Sequence, residues 1–128
     1  AMPRAVYTQP ELASVGLTEE QAQAQGDIKV GRFPFSANGR AVVIGKPSGF
    51  VKIIADARHE QILGIVMVGP DASNLLGEAT IAVQMELTLS VLMYTIHAHP
   101  TLSEALVEAA HDAHDGGAIH QPPTLQAS

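Results

Sequence analysis

Two apolar runs in the middle of the chain give its clearest secondary-structure signal. Residues 50–55 and 62–68 are rich in β-branched side chains and bracket the polar stretch 56–60, which is typical of an antiparallel hairpin. Both runs are apolar at successive positions, so each strand should be buried on both faces at the centre of a sheet. Shorter runs at 4–8 and 12–15 predict two further strands.

Another strand is predicted around Gly31, but its two halves are out of phase. Ile28 and Val30 share one face under two-residue alternation, whereas Phe33 and Phe35 share the other. Either a β-bulge at Gly31 resets the phase, or two short segments join there.

Three helices are predicted between and after the strands. A capping-box pattern at 18–21 begins a short polar helix that ends at Gly26. Asp71 is expected to cap a long helix over 72–89, which is apolar over more than one stripe and should therefore be buried on two sides, by the sheet and by a second subunit. The last helix is predicted over 101–113.

These elements predict an α+β fold, in which an antiparallel sheet of about 4–5 strands is covered by helices. At 128 residues the chain is expected to form a single domain, residues 1–128. Residues 1–2 resemble a cloning remnant, so we expect a piece excised from a longer protein. Residues 118–128, which contain consecutive prolines, are expected to form an extended tail.

The charge balance changes the picture of possible partners. The net charge is −6, with 7 Lys and Arg against 13 Asp and Glu, so we expect no nucleic-acid binding. An acidic surface instead favours a basic protein partner. No stretch is long and apolar enough to cross a bilayer, and we expect no membrane contact. The chain contains 0 Cys and brings no thiol chemistry of its own.

The candidate chemistry is concentrated in residues 96–104. Pro100 favours an extended backbone at His99, and Thr101 to Glu104 matches a capping box, which would bend Glu104 back toward the helix entrance. A histidine oriented by a carboxylate is a common acid–base unit. The alternative is that Glu104 only caps the helix and that the histidines are surface polar residues.

A metal site is the other chemical alternative. His97 and His99 would have to meet His111 and His114, which share a helix face three residues apart. Nothing in the sequence brings the two pairs together, so we predict no metal. The chain also lacks a glycine-rich phosphate loop and a Gly-x-Ser-x-Gly nucleophile elbow. A basic His99 would therefore need a nucleophile and a cofactor from elsewhere.

Four stretches of the sequence resemble one enzyme family. They read HAHPTLSE at 97–104, YTQPELASVGLTE at 7–19, FPF to NGRA within 33–41, and ILG to VGP within 62–70. Taken in their order along the chain, over roughly positions 3–123, these stretches are similar to the C-terminal dimerisation (interface) domain of the pyridine nucleotide–disulfide oxidoreductases. The doubled histidine and the LSE ending resemble the dihydrolipoamide dehydrogenase family within that group.

The resemblance implies a homodimer whose other parts lie upstream. An FAD domain, an NAD domain and a redox-active cysteine pair would precede this chain, so the fragment itself is expected to bind no cofactor and to be inactive. His99 would be the catalytic acid–base in the NAD-dependent oxidation of dihydrolipoamide, and Glu104 would hold and polarise it. The backbone of His99 and Pro100 would approach the FAD of the partner subunit.

The resemblance also implies surroundings and leaves two alternatives. The peripheral subunit-binding domain of an acyltransferase (E2) component is an expected partner, since a small basic domain suits this acidic chain. The implied location is the bacterial cytoplasm or the mitochondrial matrix. The alternatives are the dimerisation domain of another flavin disulfide reductase, such as glutathione or mercuric reductase, and a stand-alone protein-interaction module.

Overall fold

The computed structural model describes residues 2–115, and the predicted tail at 118–128 lies outside these residues. The described strands are β1 (Arg4–Val6), β2 (Glu11–Gly16), β3 (Ile28–Pro34), β4 (Phe50–Asp56) and β5 (Ile62–Gly69). The helices are α1 (Glu19–Gln23), α2 (Gly39–Val43), α3 (Ala72–Gln84), α4 (Leu89–Tyr94) and α5 (Glu104–Asp115), and a 3₁₀ turn covers Phe35–Ala37.

The strands form one antiparallel sheet in the order β1-β2-β5-β4-β3. The predicted hairpin β4–β5 is confirmed, with Ile53 opposite Ile65, and β5 is the central strand. Both of these isoleucines are fully buried on one face of the sheet. On the other face Lys52 and Val66 are opposite each other and only half-buried, so the predicted burial of both faces holds only in part. The fold is α+β, as predicted.

Strand β3 runs without a bulge, and both sequence interpretations of Gly31 were wrong. Residues Ile28 to Pro34 pair in unbroken register with β4, and Gly31 lies opposite Ile53. The glycine is required by packing instead. A Cβ at Gly31 would lie 2.2 Å from the Ala109 carbonyl oxygen, so α5 can lie this close to β3 only where the strand has no side chain.

The long helix predicted over 72–89 is shorter, because the chain turns back to the sheet. Helix α3 ends at Gln84, and Glu86 adopts the left-handed conformation with φ 54°. The Leu87 carbonyl then accepts a hydrogen bond from the Ile62 amide at 2.8 Å. This contact with the start of β5 separates α3 from α4.

The N-terminus of α3 is not capped by Asp71, which corrects the sequence prediction. Asp71 has a left-handed backbone and makes no capping hydrogen bond with its side chain. Glu11 of β2 does this instead, since its carboxylate accepts from the Ser73 amide at 3.1 Å and from the Ser73 hydroxyl at 2.8 Å. The Ser73 amide hydrogen bond is the main reason why the pKa of Glu11 lies below its usual value.

Helix α5 packs across β3 and β4 through small residues, and it carries the carboxylate of the candidate site. It begins at Glu104, three residues after the predicted start. On the side of this helix that faces the sheet, Leu106, Ala109 and Ala110 are fully buried. Among residues 2–115, no helix is long and apolar enough to cross a membrane.

Candidate functional site

The sequence from His97 to Glu104 forms most of the link between α4 and α5. The link passes through a cis peptide bond between His99 and Pro100 and ends at the first residue of α5, which is Glu104. The imidazole of His99 and the carboxylate of Glu104 therefore come from two adjoining structures, the link and the start of a well-packed helix.

His99 and Glu104 are in contact, which is one of the two arrangements that the sequence left open. The His99 Nδ1 atom lies 3.0 Å from both carboxylate oxygens of Glu104. Since an ionised carboxylate can only accept, Nδ1 carries the hydrogen, and in the neutral ring Nε2 keeps its lone pair. The His99 side chain is 78% exposed, so Nε2 can be reached from outside this chain.

Glu104 also holds the backbone that precedes it. Its Oε1 atom accepts a hydrogen bond from the Thr101 amide at 2.9 Å, which is one half of the predicted capping box. The other half is absent, because the Thr101 hydroxyl donates to the Ala98 carbonyl at 2.8 Å. Glu104 thus serves both the helix entrance and the imidazole.

The electrostatics favour the carboxylate form of Glu104. Burial by itself would raise the pKa of Glu104, but the hydrogen bonds from Thr101 and His99, with the charges of His99 and His97, lower it below the usual value. Glu104 is therefore ionised at neutral pH. An ionised partner at Nδ1 favours the tautomer of His99 that leaves Nε2 as an acceptor.

An open cleft of about 230 Å³ borders this pair. Its walls come from β3, the 3₁₀ turn, α2 and α5, and they are formed by Phe33, Ala37, Asn38, Gly39, His99, Glu104 and Glu108. The cleft gives a small ligand, or a group from another domain, access to the imidazole.

Asn38 is a site residue that sequence reasoning missed. It is 4% exposed, and its amide nitrogen donates to the Thr101 carbonyl at 3.0 Å. Its side-chain oxygen accepts from the Ala41 amide at 2.9 Å, which caps α2. An asparagine three residues before an apolar run such as Ala41 to Val43 is an N-cap signal that could have identified it.

His97, to which the sequence assigned no role, is the more buried histidine of the motif. Its side chain is 9% exposed, and its Nε2 atom lies 2.6 Å from the Glu78 carboxylate. Nδ1 lies 3.0 Å from the Thr95 carbonyl oxygen. Burial alone would lower the pKa of His97, but the hydrogen bonds to Glu78 and Thr95 outweigh burial and raise it.

His111 and His114, near the C-terminal end of α5, do not meet His97 and His99. His114 contacts Glu60 at 2.7 Å, and His111 lies 3.7 Å from Asp115. Asp112, which lies next to His111 in the sequence, is 2% exposed and accepts a hydrogen bond from the Arg32 amide at 2.8 Å. Within residues 2–115, no group of three or more His, Cys, Asp and Glu residues could hold a metal ion.

One face of the helices beside the site is apolar and exposed. Helix α3 buries Leu76, Ala79 and Ala82 toward the sheet, whereas the opposite side was predicted to meet a second subunit. The large apolar side chains exposed there, on α4 and in the following link are Ile81, Met85, Val91, Tyr94 and Ile96, which range from 43% to 95% exposed. In a single chain this surface is uncovered.

Comparison with known sequences finds one family over most of the chain. The family described as "Pyridine nucleotide-disulphide oxidoreductase, dimerisation domain" matches residues 2–110. Dihydrolipoyl dehydrogenase from Thermus scotoductus is 52% identical over 120 residues, 93% of this chain. Dihydrolipoyl dehydrogenase 3 from Pseudomonas aeruginosa is 53% identical over 114 residues, 88% of this chain. The chain spans only 26% and 24% of these relatives.

Solved structures show the same arrangement. LpdA from Mycobacterium tuberculosis superposes with a TM-score of 0.80 at 32% identity, over 86% of this chain and 24% of that protein. The HOCl-induced flavoprotein disulfide reductase RclA from Escherichia coli gives a TM-score of 0.81 at 33% identity, over 85% of this chain and 25% of that protein.

Proposed function

The chain belongs to the dimerisation-domain family of the pyridine nucleotide-disulphide oxidoreductases, and from that premise we propose that it is the dimerisation domain of a dihydrolipoyl dehydrogenase. In this proposal His99 and Glu104 are the acid–base pair of an active site that other domains and another subunit complete. The contact between His99 Nδ1 and Glu104, with Nε2 open to a cleft, carries the proposal. The curated relatives with this name support the choice of substrate.

In this proposal the flavin and the cysteine pair, which this chain lacks, lie against the uncovered side of His99 and Pro100. Bound FAD would take the electron pair of dihydrolipoamide through a cysteine pair and deliver it to NAD. The chain has 0 Cys, and the side of His99 away from Glu104 is uncovered, as is Pro100. These exposed groups fit a flavin and a cysteine pair that approach from the partner subunit, with the backbone of His99 and Pro100 facing the flavin.

The proposed step at His99 is a proton transfer. A free thiol has a pKa near 8.5 and is mostly protonated at neutral pH. His99 Nε2 accepts this proton from one dihydrolipoyl thiol, and the resulting thiolate attacks the partner's disulfide, which releases one cysteine as a thiolate. Glu104 stabilises the imidazolium through Nδ1–H while the proton is held.

Dimerisation through α3, α4 and the following link is part of the proposal. A second copy would cover Ile81, Met85, Tyr94 and Ile96, which a single chain leaves exposed.

A further proposed partner is a small basic domain of an acyltransferase component, since such a domain suits the net charge of −6. The likeness to RclA favours a second candidate, a flavoprotein disulfide reductase with another substrate.

The test uses the full-length enzyme of which this chain would be the C-terminal part. His99→Gln should lower turnover of dihydrolipoamide by about 10²- to 10⁴-fold, because the general base is lost, while the protein stays dimeric in light scattering. His59→Gln, in an exposed loop, is the matched control and should be unaffected. Turnover within a few-fold of the parent in His99→Gln would remove the proposed role.

The dimer is tested on the chain itself by sedimentation at about 50 µM, a concentration at which micromolar association is visible. We expect a dimer, and Met85→Lys should weaken it by placing a charge on the apolar surface. Gln25→Lys adds the same charge at an exposed position on the chain after α1 and should leave the dimer intact. A monomeric parent chain would contradict this part of the proposal.

A further inference from the structure

A second histidine–carboxylate pair lies two residues before the acid–base histidine. His97 Nε2 is 2.6 Å from the Glu78 carboxylate, and the two residues are 19 positions apart in the sequence. Glu78 belongs to α3, whereas His97 belongs to the link that carries His99. The contact therefore joins the link to a helix that packs on β2 and β5.

The surroundings of His97 favour its doubly protonated form. Nε2 faces the Glu78 carboxylate, and Nδ1 faces the Thr95 carbonyl. A neutral imidazole has only one N–H, so it could satisfy only one of these acceptors, whereas an imidazolium satisfies both. The ring is 9% exposed, so leaving one of its polar contacts unsatisfied is unfavourable. His97 and Glu78 thus form an ion pair.

This ion pair is one of several contacts that fix the backbone around His99. After His97, the Ala98 carbonyl accepts from the Thr101 hydroxyl at 2.8 Å. The Thr101 carbonyl accepts from Asn38 at 3.0 Å, and the Thr101 amide donates to Glu104 at 2.9 Å. His99 lies between these fixed points, while its own ring touches only Glu104 among them. Of these anchors, the Glu78–His97 pair is the one that ties the N-terminal side of His99 to α3.

We propose that Glu78 and His97 are positioning residues, which hold the link on α3 so that the His99 ring presents Nδ1 to Glu104 and Nε2 to the cleft. Only Ala98 separates His97 from His99, and consecutive Cα atoms are about 3.8 Å apart, so the position of His97 limits where the His99 backbone can lie. Neither residue touches the substrate in this account. The inference rests on the proposed acid–base function of His99.

The place of Glu78 on α3 adds a link to dimerisation. Glu78, Ile81 and Met85 follow a spacing of three and four residues and so lie along one face of the helix. Ile81 and Met85 are 60% and 66% exposed and belong to the surface proposed to meet a second copy. A partner on this face would exclude water from the ion pair and tighten the position of the link.

The test follows the ring nitrogens of His97 and His99 by ¹⁵N NMR of the 128-residue chain, from about pH 6 to pH 9. In the parent chain we expect an imidazolium signature for His97 and a majority Nδ1–H tautomer for neutral His99. Glu78→Gln should abolish the imidazolium signature and turn the Nδ1–H form of His99 into the minor tautomer. Glu78→Asp keeps the charge and should restore most of both signals.

Glu86→Gln is the matched control, since it removes the same charge from an exposed position just after α3 and should change neither histidine. If Glu78→Gln alters His97 but leaves the His99 tautomer unchanged, the positioning role is wrong. If Glu78→Gln does not fold by circular dichroism, His97→Gln decides in its place: a majority Nδ1–H tautomer of His99 after the loss of the His97 ring overturns the proposal.

Turnover of the full-length enzyme separates this inference from the proposed function. Glu78→Gln and His97→Gln should each lower kcat by roughly tenfold with KM unchanged, and the double variant should be no slower than either single one, because both break one interaction. A loss in His99→Gln without any loss in these variants would overturn only the positioning role. Full activity in His99→Gln would overturn the proposed function, and the NMR result would still decide whether the pair positions His99.

Discussion

Helix α5 has a histidine–carboxylate pair at each end, and the two pairs differ in what surrounds them. At the N-terminus, His99 Nδ1 lies 3.0 Å from Glu104. At the C-terminus, His114 Nδ1 lies 2.7 Å from Glu60. Distance alone would rank the second pair as the better candidate for an acid–base site. The neighbours of each carboxylate lead to the opposite conclusion.

Glu60 also contacts a lysine side chain, whereas Glu104 also accepts a hydrogen bond from a backbone amide. Lys29 Nζ lies 2.6 Å from Glu60, which therefore lies between two basic side chains. The Lys29 hydrogen bond is the largest cause of the lowered pKa of Glu60. His114 is 39% exposed, against 78% for His99. By these criteria the His99–Glu104 pair is the better candidate for an acid–base site, because its second ring nitrogen opens to a cleft and its carboxylate is held by a backbone amide.

The largest predicted effect comes from a substitution that displaces α5, the helix that carries one residue of each pair. Gly31→Ala places a Cβ 2.2 Å from the Ala109 carbonyl oxygen and 2.4 Å from the Ala113 amide nitrogen, so α5 must move off β3. We expect a loss of more than about 3 kcal/mol in the free energy of unfolding by urea denaturation. Gly77→Ala, where a Cβ meets nothing within 4 Å, is the control and should be neutral or stabilising. A Gly31→Ala protein as stable as this control would contradict the packing account.

The next effect separates the two carboxylates by activity. In the full-length enzyme, Glu104→Gln should lower turnover by about 10- to 100-fold, because an uncharged amide stabilises the His99 imidazolium less well. Glu60→Gln should leave turnover within a few-fold. Equal losses in the two variants would show that the contact with histidine, and not its surroundings, decides the role.

A smaller effect concerns the support of the N-terminal pair. Asn38→Ala leaves the Thr101 carbonyl and the Ala41 amide without their buried partner, and it should cost about 1–3 kcal/mol of stability. Asn74→Ala, at an exposed position in α3, should change stability by less than about 0.5 kcal/mol. Thermal and urea unfolding measure both. Equal stability of the two variants would remove Asn38 as an anchor.

The smallest effect is a pH dependence of the C-terminal pair. The pKa of Glu60 is lowered from 4.5, so the native protein favours its charged form. The stabilisation is fully present above pH 4.5 and is lost as the pH falls through the lower pKa of the folded state. The stability difference between the parent chain and Glu60→Gln should therefore shrink on acidification below this value, as followed by urea denaturation. A difference that stays constant would contradict the ion-pair account of Glu60.

Features that depend on residues close in sequence were predicted better than features that depend on residues far apart. The hairpin β4–β5 depends on residues close in sequence, so periodicity predicted it. The spacing of His99 and Glu104 made their contact possible but left the helix cap as an alternative. The cap that Glu11 provides for α3 spans 62 positions, and the Asn38 bond to Thr101 spans 63. No local pattern encodes such partners. Gly31 misled for the same reason, since its need for a small residue comes from α5.

The break after α3 shows a further limit of sequence patterns. The apolar periodicity continues past Gln84, yet the Leu87 carbonyl bonds to Ile62 and stops the helix. Tertiary contact here overrides helix propensity. The His97–Glu78 pair was missed in the same way, since the sequence gives no reason to choose Glu78 among several acidic residues.

The central claim is that this chain supplies half of an active site, completed by another subunit, and complementation between two inactive full-length variants tests it most directly. One subunit carries His99→Gln and keeps its cysteine pair; the other lacks the cysteine pair and keeps His99. Each homodimer should be inactive, whereas a purified heterodimer should recover about half of the parent turnover, because one of its two symmetry-related sites is complete. A heterodimer as inactive as the two homodimers would contradict a site shared between subunits.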